Sequence, residues 1–184
     1  MRELFHASTS PLEPGTLLVS RFIREELQFQ FHAIASALHE GGPVLKSLLL
    51  SDYWHQFGKP TLTFAFKETI LERIRASEFS DRPSRLSSVF LCPTKDDIVR
   101  FREEVRASND RPYLYVCDAP EATALFEADM AFVRSPNPLA PIDQQIDYLV
   151  QRARLYWQGQ KSDCPVMEAL APENTVRIAG MVDW

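Results

Sequence analysis

The sequence predicts an α+β fold, on three observations. Apolar residues recur at helical spacing through much of the first half, while most short alternating runs lie in the second half. One further alternating run opens the chain. The six glycines nowhere form the strand–loop–helix pattern of a phosphate- or dinucleotide-binding turn, which argues against the parallel α/β folds built on one. With 184 residues, 45% hydrophobic and 24% charged, the chain is expected to form a single domain over residues 1–184 with a core that needs no staple.

In chain order, Leu4–Ala7 reads as a strand, followed by a loop broken by Pro11, Pro14 and Gly15. From Arg21 to Glu40, Ile23, Leu27, Phe31, Ile34 and Leu38 trace one helix face, and Gly41-Gly42 stops it. Val44–Phe57 predicts a second helix ending at Gly58, and Leu62, Phe66, Ile70 and Ile74 a third. Leu86–Leu91 is expected to be a strand, with Ser88 and Phe90 on one face and Ser87, Val89 and Leu91 on the other. Thr94 is placed to cap a helix whose first turn carries Asp96 and Asp97, where carboxylates favour the helix dipole. Pro112–Cys117 reads as a strand, and Pro120–Phe132 carries no clear pattern. After the loop Arg134–Pro141, the stripe Ile142, Ile146, Leu149, Ala153 and Tyr156 or Trp157 predicts a helix. Val166–Leu170 and Val176–Val182 close the chain as strands.

Two ionisable residues stand where strands should be apolar. Alternation puts Glu168 on the face of Val166 and Leu170, and His6 on the face of Leu4. A carboxylate on an inward face must be paired, protonated or employed. Structural readings stand beside the functional ones. His6 could be a core histidine bonded to a neighbouring backbone carbonyl. Glu168 could be half of a buried ion pair with Arg85 or Arg177, and Arg85 could bridge to Asp81. Ser87 and Ser88 are by default ordinary strand residues. Cys92, Cys117 and Cys164 are odd in number and widely spaced, which fits neither a disulfide framework nor a metal site. They suggest a reducing, cytoplasmic setting, and no apolar run approaches the roughly 18 residues of a membrane span. The net charge of −5 argues against a surface that broadly coats nucleic acid.

The order of four blocks carries a resemblance. They are Leu4-Phe-His6, Pro83-Ser-Arg-Leu-Ser-Ser-Val-Phe90, Tyr156-Trp-Gln-Gly159 and Val166-Met-Glu168-Ala-Leu170. Together they resemble the ADP-ribosyltransferase superfamily, and within it a bacterial branch with the same His, PSR-L-x-S-V-F, Y-W-x-G and Glu blocks. That superfamily places His or Arg on its first core strand, Ser or Tyr on a middle strand and Glu on a late one.

The resemblance implies a split β-sheet core with an N-terminal helical block, and NAD as co-substrate with no metal. ADP-ribose would pass to a macromolecular acceptor, nucleic acid or protein, with release of nicotinamide, as in a bacterial or phage toxin-like effector kept in check by a neutralising partner. Glu168 would stabilise the cationic ribosyl transition state; His6 would hold the adenosine ribose and Arg85 the pyrophosphate. Ser87 or Ser88 would orient the first-strand residue or touch the nicotinamide ribose, and Phe90 or Tyr53 would stack on the nicotinamide. Two departures matter. Val166 stands where arginine-modifying members carry Glu or Gln, and the middle block has Ser and Phe where toxin-like members have Tyr. A binding module on the same fold and an NAD glycohydrolase remain as alternatives.

Overall fold

Alternation at the start of the chain becomes strand β1, Arg2–Ser8, in a computed structural model that describes residues 1–20, 25–40, 59–105, 113–137 and 139–182. Tyr53 and the helix expected over Val44–Phe57 lie outside the described residues. The α+β expectation holds: helices accompany small antiparallel sheets. The chain divides into two compact units, one of Met1–Arg21, Pro83–Ala131 and Gly159–Trp184, the other of Phe22–Arg82 and Phe132–Gln158.

The first unit holds every described strand. β1 pairs antiparallel with β3 (Tyr113–Ala119), which pairs with β6 (Arg177–Met181). The second sheet has β5 (Met167–Pro172) in its centre, between β2 (Ser88–Leu91) and β4 (Phe126–Asp129). An antiparallel bridge between Phe5 and Cys92 links β1 to β2, with Phe5 N–H donating to Cys92 O at 2.9 Å and Cys92 N–H to Phe5 O at 2.7 Å.

Period-2 patterning explains how the sheets pack. Leu4, Tyr115, Cys117 and Ile178 from one sheet share a buried cluster with Val89, Leu91, Ala169 and Ala171 from the other. The opposite face of β1 and β3, carrying Phe5 and Leu114, is buried with Cys92 and Ile98. Ile98 lies on α3 (Lys95–Val105), which starts where expected: Asp97 N–H donates to Thr94 Oγ1 at 3.1 Å, and the Thr94 hydroxyl donates back to Asp97 Oδ2.

Two sequence expectations change here. The strand expected over Leu86–Leu91 begins instead with a 3₁₀ turn, Arg85–Ser87, and the strand starts at Ser88. Ser84 causes this, because its hydroxyl accepts from Leu86 N–H at 3.2 Å and its carbonyl accepts from the Ser88 hydroxyl at 2.7 Å. Such local side-chain bonds compete with a strand ladder. Within Pro120–Phe132, which showed no pattern, β4 forms with three of its four residues buried, so no alternation marks it.

The second unit is helical where described: α1 (Glu25–Glu40), α2 (Lys59–Glu78) and α4 (Ile142–Trp157). α2 packs on both of the others. Phe66, Ile70 and Ile74 are buried on α2, as are Leu149, Ala153, Tyr156 and Trp157 on α4. The Trp157 indole N–H donates to Leu71 O at 2.9 Å, and the Tyr156 ring meets Trp157 edge-on at 4.8 Å. Gly159 follows at φ 71°, a left-handed conformation suited to ending a helix. The Tyr156–Gly159 block is therefore accounted for by packing and helix termination. No described helix is long and apolar enough to cross a membrane.

Candidate functional site

The site is assembled within the sheet-bearing unit, around the start of β2. Register pairs Phe90 with Leu170 and Ala128 with Glu168, so Ser88, Phe90, Glu168, Leu170, Phe126 and Ala128 share one face of their sheet. It is the face opposite the one that Val89, Leu91, Ala169 and Ala171 give to the shared core. Ser88, and not Ser87, is the serine on the face of Glu168. Ser87 is exposed in the 3₁₀ turn.

Glu168 is 2% exposed and pairs with Arg85, itself buried, whose Nη1 donates to Glu168 Oε1. The Arg85 guanidinium also lies over the Phe90 ring, 4.6 Å from its centroid. Burying a carboxylate and a guanidinium is tolerable only because each answers the other, and an aromatic face adds attraction for the cation. Of the two ion-pair partners the sequence left open for Glu168, the protein uses Arg85. Arg177 is exposed on β6, opposite Asp118. The bridge to Asp81 comes from Arg82, at 3.8 Å, and not from Arg85.

His6 is half-buried, and its Nδ1 lies 2.9 Å from Phe90 O. A carbonyl only accepts, so Nδ1 carries the donated proton. Phe90 thus joins three of the four blocks: its carbonyl meets His6, its ring carries Arg85, and Arg85 holds Glu168. Ser88 sits beside this chain of contacts, but its hydroxyl goes to Ser84 O and shapes the turn. Tyr53, the other stacking candidate, is outside the described residues.

Residues that the sequence did not flag as positioning groups fix the approach to Glu168. Asp129, at the end of β4, accepts from Val166 N–H (3.1 Å) and Ala131 N–H (2.9 Å) through Oδ1. Its Oδ2 accepts from the N–H (2.8 Å) and hydroxyl (2.6 Å) of Ser162. Burial pushes the Asp129 carboxyl up, but the bonds from the Ser162 hydroxyl and from the Ser162, Ala131 and Val166 N–H groups outweigh it and leave it below its ordinary value. Asp97 accepts from Met167 N–H at 3.0 Å, and Arg100 Nη1 donates to Pro165 O at 3.2 Å. The three residues before Glu168 are therefore each held at the backbone. Asp97 did carry a signal, as the capping partner of Thr94. Asp129 had none, because two of its three partner residues, Ser162 and Val166, lie more than thirty positions away.

Cys92 and Cys117 are buried and Cys164 is exposed. Burial raises the Cys92 thiol strongly, with the charges of Glu168 and Asp97 adding to it, and pushes the Cys117 thiol up to about 12. Both are inert thiols at neutral pH. Among the described residues, no group of three or more His, Cys, Asp or Glu side chains could hold a metal ion.

A family model matches residues 17–181, nearly the whole chain, and its description is a protein of unknown function (DUF2441). The chain belongs to this family. The DUF2441 match takes in the Arg85–Phe90 block and Glu168, and begins after β1 and His6. No curated protein matches the chain.

Proposed function

We propose that this DUF2441 chain is an ADP-ribosyltransferase-like enzyme that takes NAD, releases nicotinamide and moves ADP-ribose to a macromolecular acceptor. The observation that carries the reading is the convergence on Phe90. A first-strand histidine, a middle-strand aromatic and a late-strand glutamate, far apart in sequence, meet across two small sheets joined by a bridge. The first-strand histidine and late-strand glutamate follow the order of the resemblance. Phe90 stands on the middle strand where toxin-like members carry Tyr, and the arrangement is compatible with a split-sheet core.

In that reading, cleavage of the nicotinamide–ribose bond develops positive charge on the ribosyl carbon, and Glu168 stabilises it as it appears. The backbone bonds at Pro165–Met167 keep the carboxylate in place, so little reorganisation is needed during the reaction. His6 orients the adenosine ribose, and Phe90 offers a face for the nicotinamide ring. Arg85, which donates to Glu168 through Nη1, would pair with the pyrophosphate through its guanidinium fork. The acceptor is nucleic acid or protein, consistent with a toxin-like effector and a neutralising partner.

One observation favours a second reading. Arg85 and Glu168 answer each other's charge in the buried site, as they would in a nucleotide- or partner-binding module without turnover. Nicotinamide release from NAD by purified protein separates the two, with and without bacterial RNA, DNA and protein extracts. Release that is lost in Glu168→Gln and rises with one extract supports the transferase and names its acceptor class. NAD binding without release in any mixture supports the binding module, and release unaffected by Glu168→Gln overturns the mechanism.

A further inference from the structure

Arg85 is a planar cation, stacked on the Phe90 face and hydrogen-bonded to the Glu168 carboxylate. An aromatic face beside a buried carboxylate is what a flat, positively charged ring would need from a protein. Here that arrangement is already taken, by a side chain of the same chain. The occupant sits in the 3₁₀ turn Arg85–Ser87, a tight, short element with weaker hydrogen-bond geometry than an α-helix. The seat is built on the sheet. Phe90 lies within the β2 ladder, and the residues entering Glu168 are bonded at the backbone to Asp129, Asp97 and Arg100. Occupant and seat are thus built on different elements, a turn and a sheet.

We propose that Arg85 is a resident occupant of a planar-cation seat formed by Phe90 and Glu168, and that a ligand's cationic ring must exchange with it. This rests on the reading of Glu168 and Phe90 as the nicotinamide–ribose end of the site. Arg85 then acts as a selector. A neutral ring gains nothing from Glu168 and cannot repay the broken ion pair, whereas a cationic ring replaces the charge that leaves. Differential affinity for the two arrangements is what shifts such an equilibrium.

The probe is N1-methylnicotinamide, a flat aromatic cation without phosphates, with neutral nicotinamide as its control. Both are titrated calorimetrically into wild type, Arg85→Ala and Arg85→Lys. Arg85→Ala is expected to bind N1-methylnicotinamide at least tenfold more tightly than wild type, with nicotinamide unchanged. The gain is expected to vanish when Glu168→Gln or Phe90→Ala is added, and Arg85→Lys is expected to fall between. Equal cation binding by folded Arg85→Ala and wild type overturns the proposal. So does a gain shared by neutral nicotinamide, which would mark a plain cavity.

Should Arg85→Ala not fold, the wild type decides. In ¹⁵N-arginine-labelled protein, the Arg85 Nε–H signal, assigned through Arg85→Lys, is expected to move on saturation with N1-methylnicotinamide. A signal that stays put overturns the exchange. Cation binding gained without nicotinamide release from NAD leaves the seat standing and removes the transferase. Glu168-dependent release without a gain in cation binding in folded Arg85→Ala does the reverse.

Discussion

Asp129 and Glu168 are neighbouring-strand carboxylates of the same sheet, 0% and 2% exposed, so burial does not distinguish them. Their partners do. Asp129 accepts from three backbone N–H groups and a hydroxyl, all on segments it ties together. Glu168 is answered by the guanidinium of a side chain that begins on a short turn. A carboxylate held by backbone cannot change partners without unfolding the segment around it, whereas one held by a side chain can. The comparison leaves Asp129 as a structural tie and Glu168 as the carboxylate that the proposed reaction would use.

The largest stability effect is expected from breaking the pair on one side. Arg85→Ala leaves Glu168 buried without its cation and should cost about 4 kcal/mol. Replacing both members with apolar residues, Arg85→Met with Glu168→Leu, should recover most of that loss. Denaturant titrations of the two variants check this. A double variant as unstable as the single one would make the pair a structural necessity and collapse the contrast with Asp129.

Asp129→Ala strands buried donors at Ala131 and Val166 and part-buried ones at Ser162, and should cost about 3 kcal/mol in the same measurement. Its pH dependence follows from the lowered carboxyl. A carboxylate whose folded value lies below its unfolded one, about 3.9, contributes stability that is complete above that value. The contribution is lost as pH falls through the folded value. Thermal melts between pH 2 and 6 should therefore show a steeper acid loss in wild type than in Asp129→Asn. Identical acid slopes would remove Asp129 from the account.

The smallest effect concerns the thiols. Native protein should react with one equivalent of a thiol reagent, at Cys164, and all three cysteines should react after denaturation. Glu168→Gln should leave this count unchanged, because burial rather than the Glu168 charge is the main reason that Cys92 is inert.

The contrast between the two carboxylates also explains what could be read from the sequence. His6 on the Leu4 face, the Thr94 cap, the stripe of α4 and the strand bearing Glu168 were legible because local spacing decides them. The choice of Arg85 over Arg177 was not, because alternation places a charge on a face without saying which cation crosses to it. The turn at Arg85–Ser87 was hidden because Ser84 bonds to backbone that otherwise reads as strand. Asp129 was hidden twice over, by a strand with no alternation and by partners distant in sequence.

The most direct test is nicotinamide release from NAD by wild type, Glu168→Gln and Asp129→Asn, each normalised to folded protein. The account predicts a loss of about 10²- to 10³-fold in Glu168→Gln, with folding retained. It predicts a far smaller loss per folded molecule in Asp129→Asn, which disturbs one of the backbone bonds that hold the approach to Glu168 but leaves its carboxylate. Glu168→Gln turning over like wild type, or both variants losing activity alike, would contradict it.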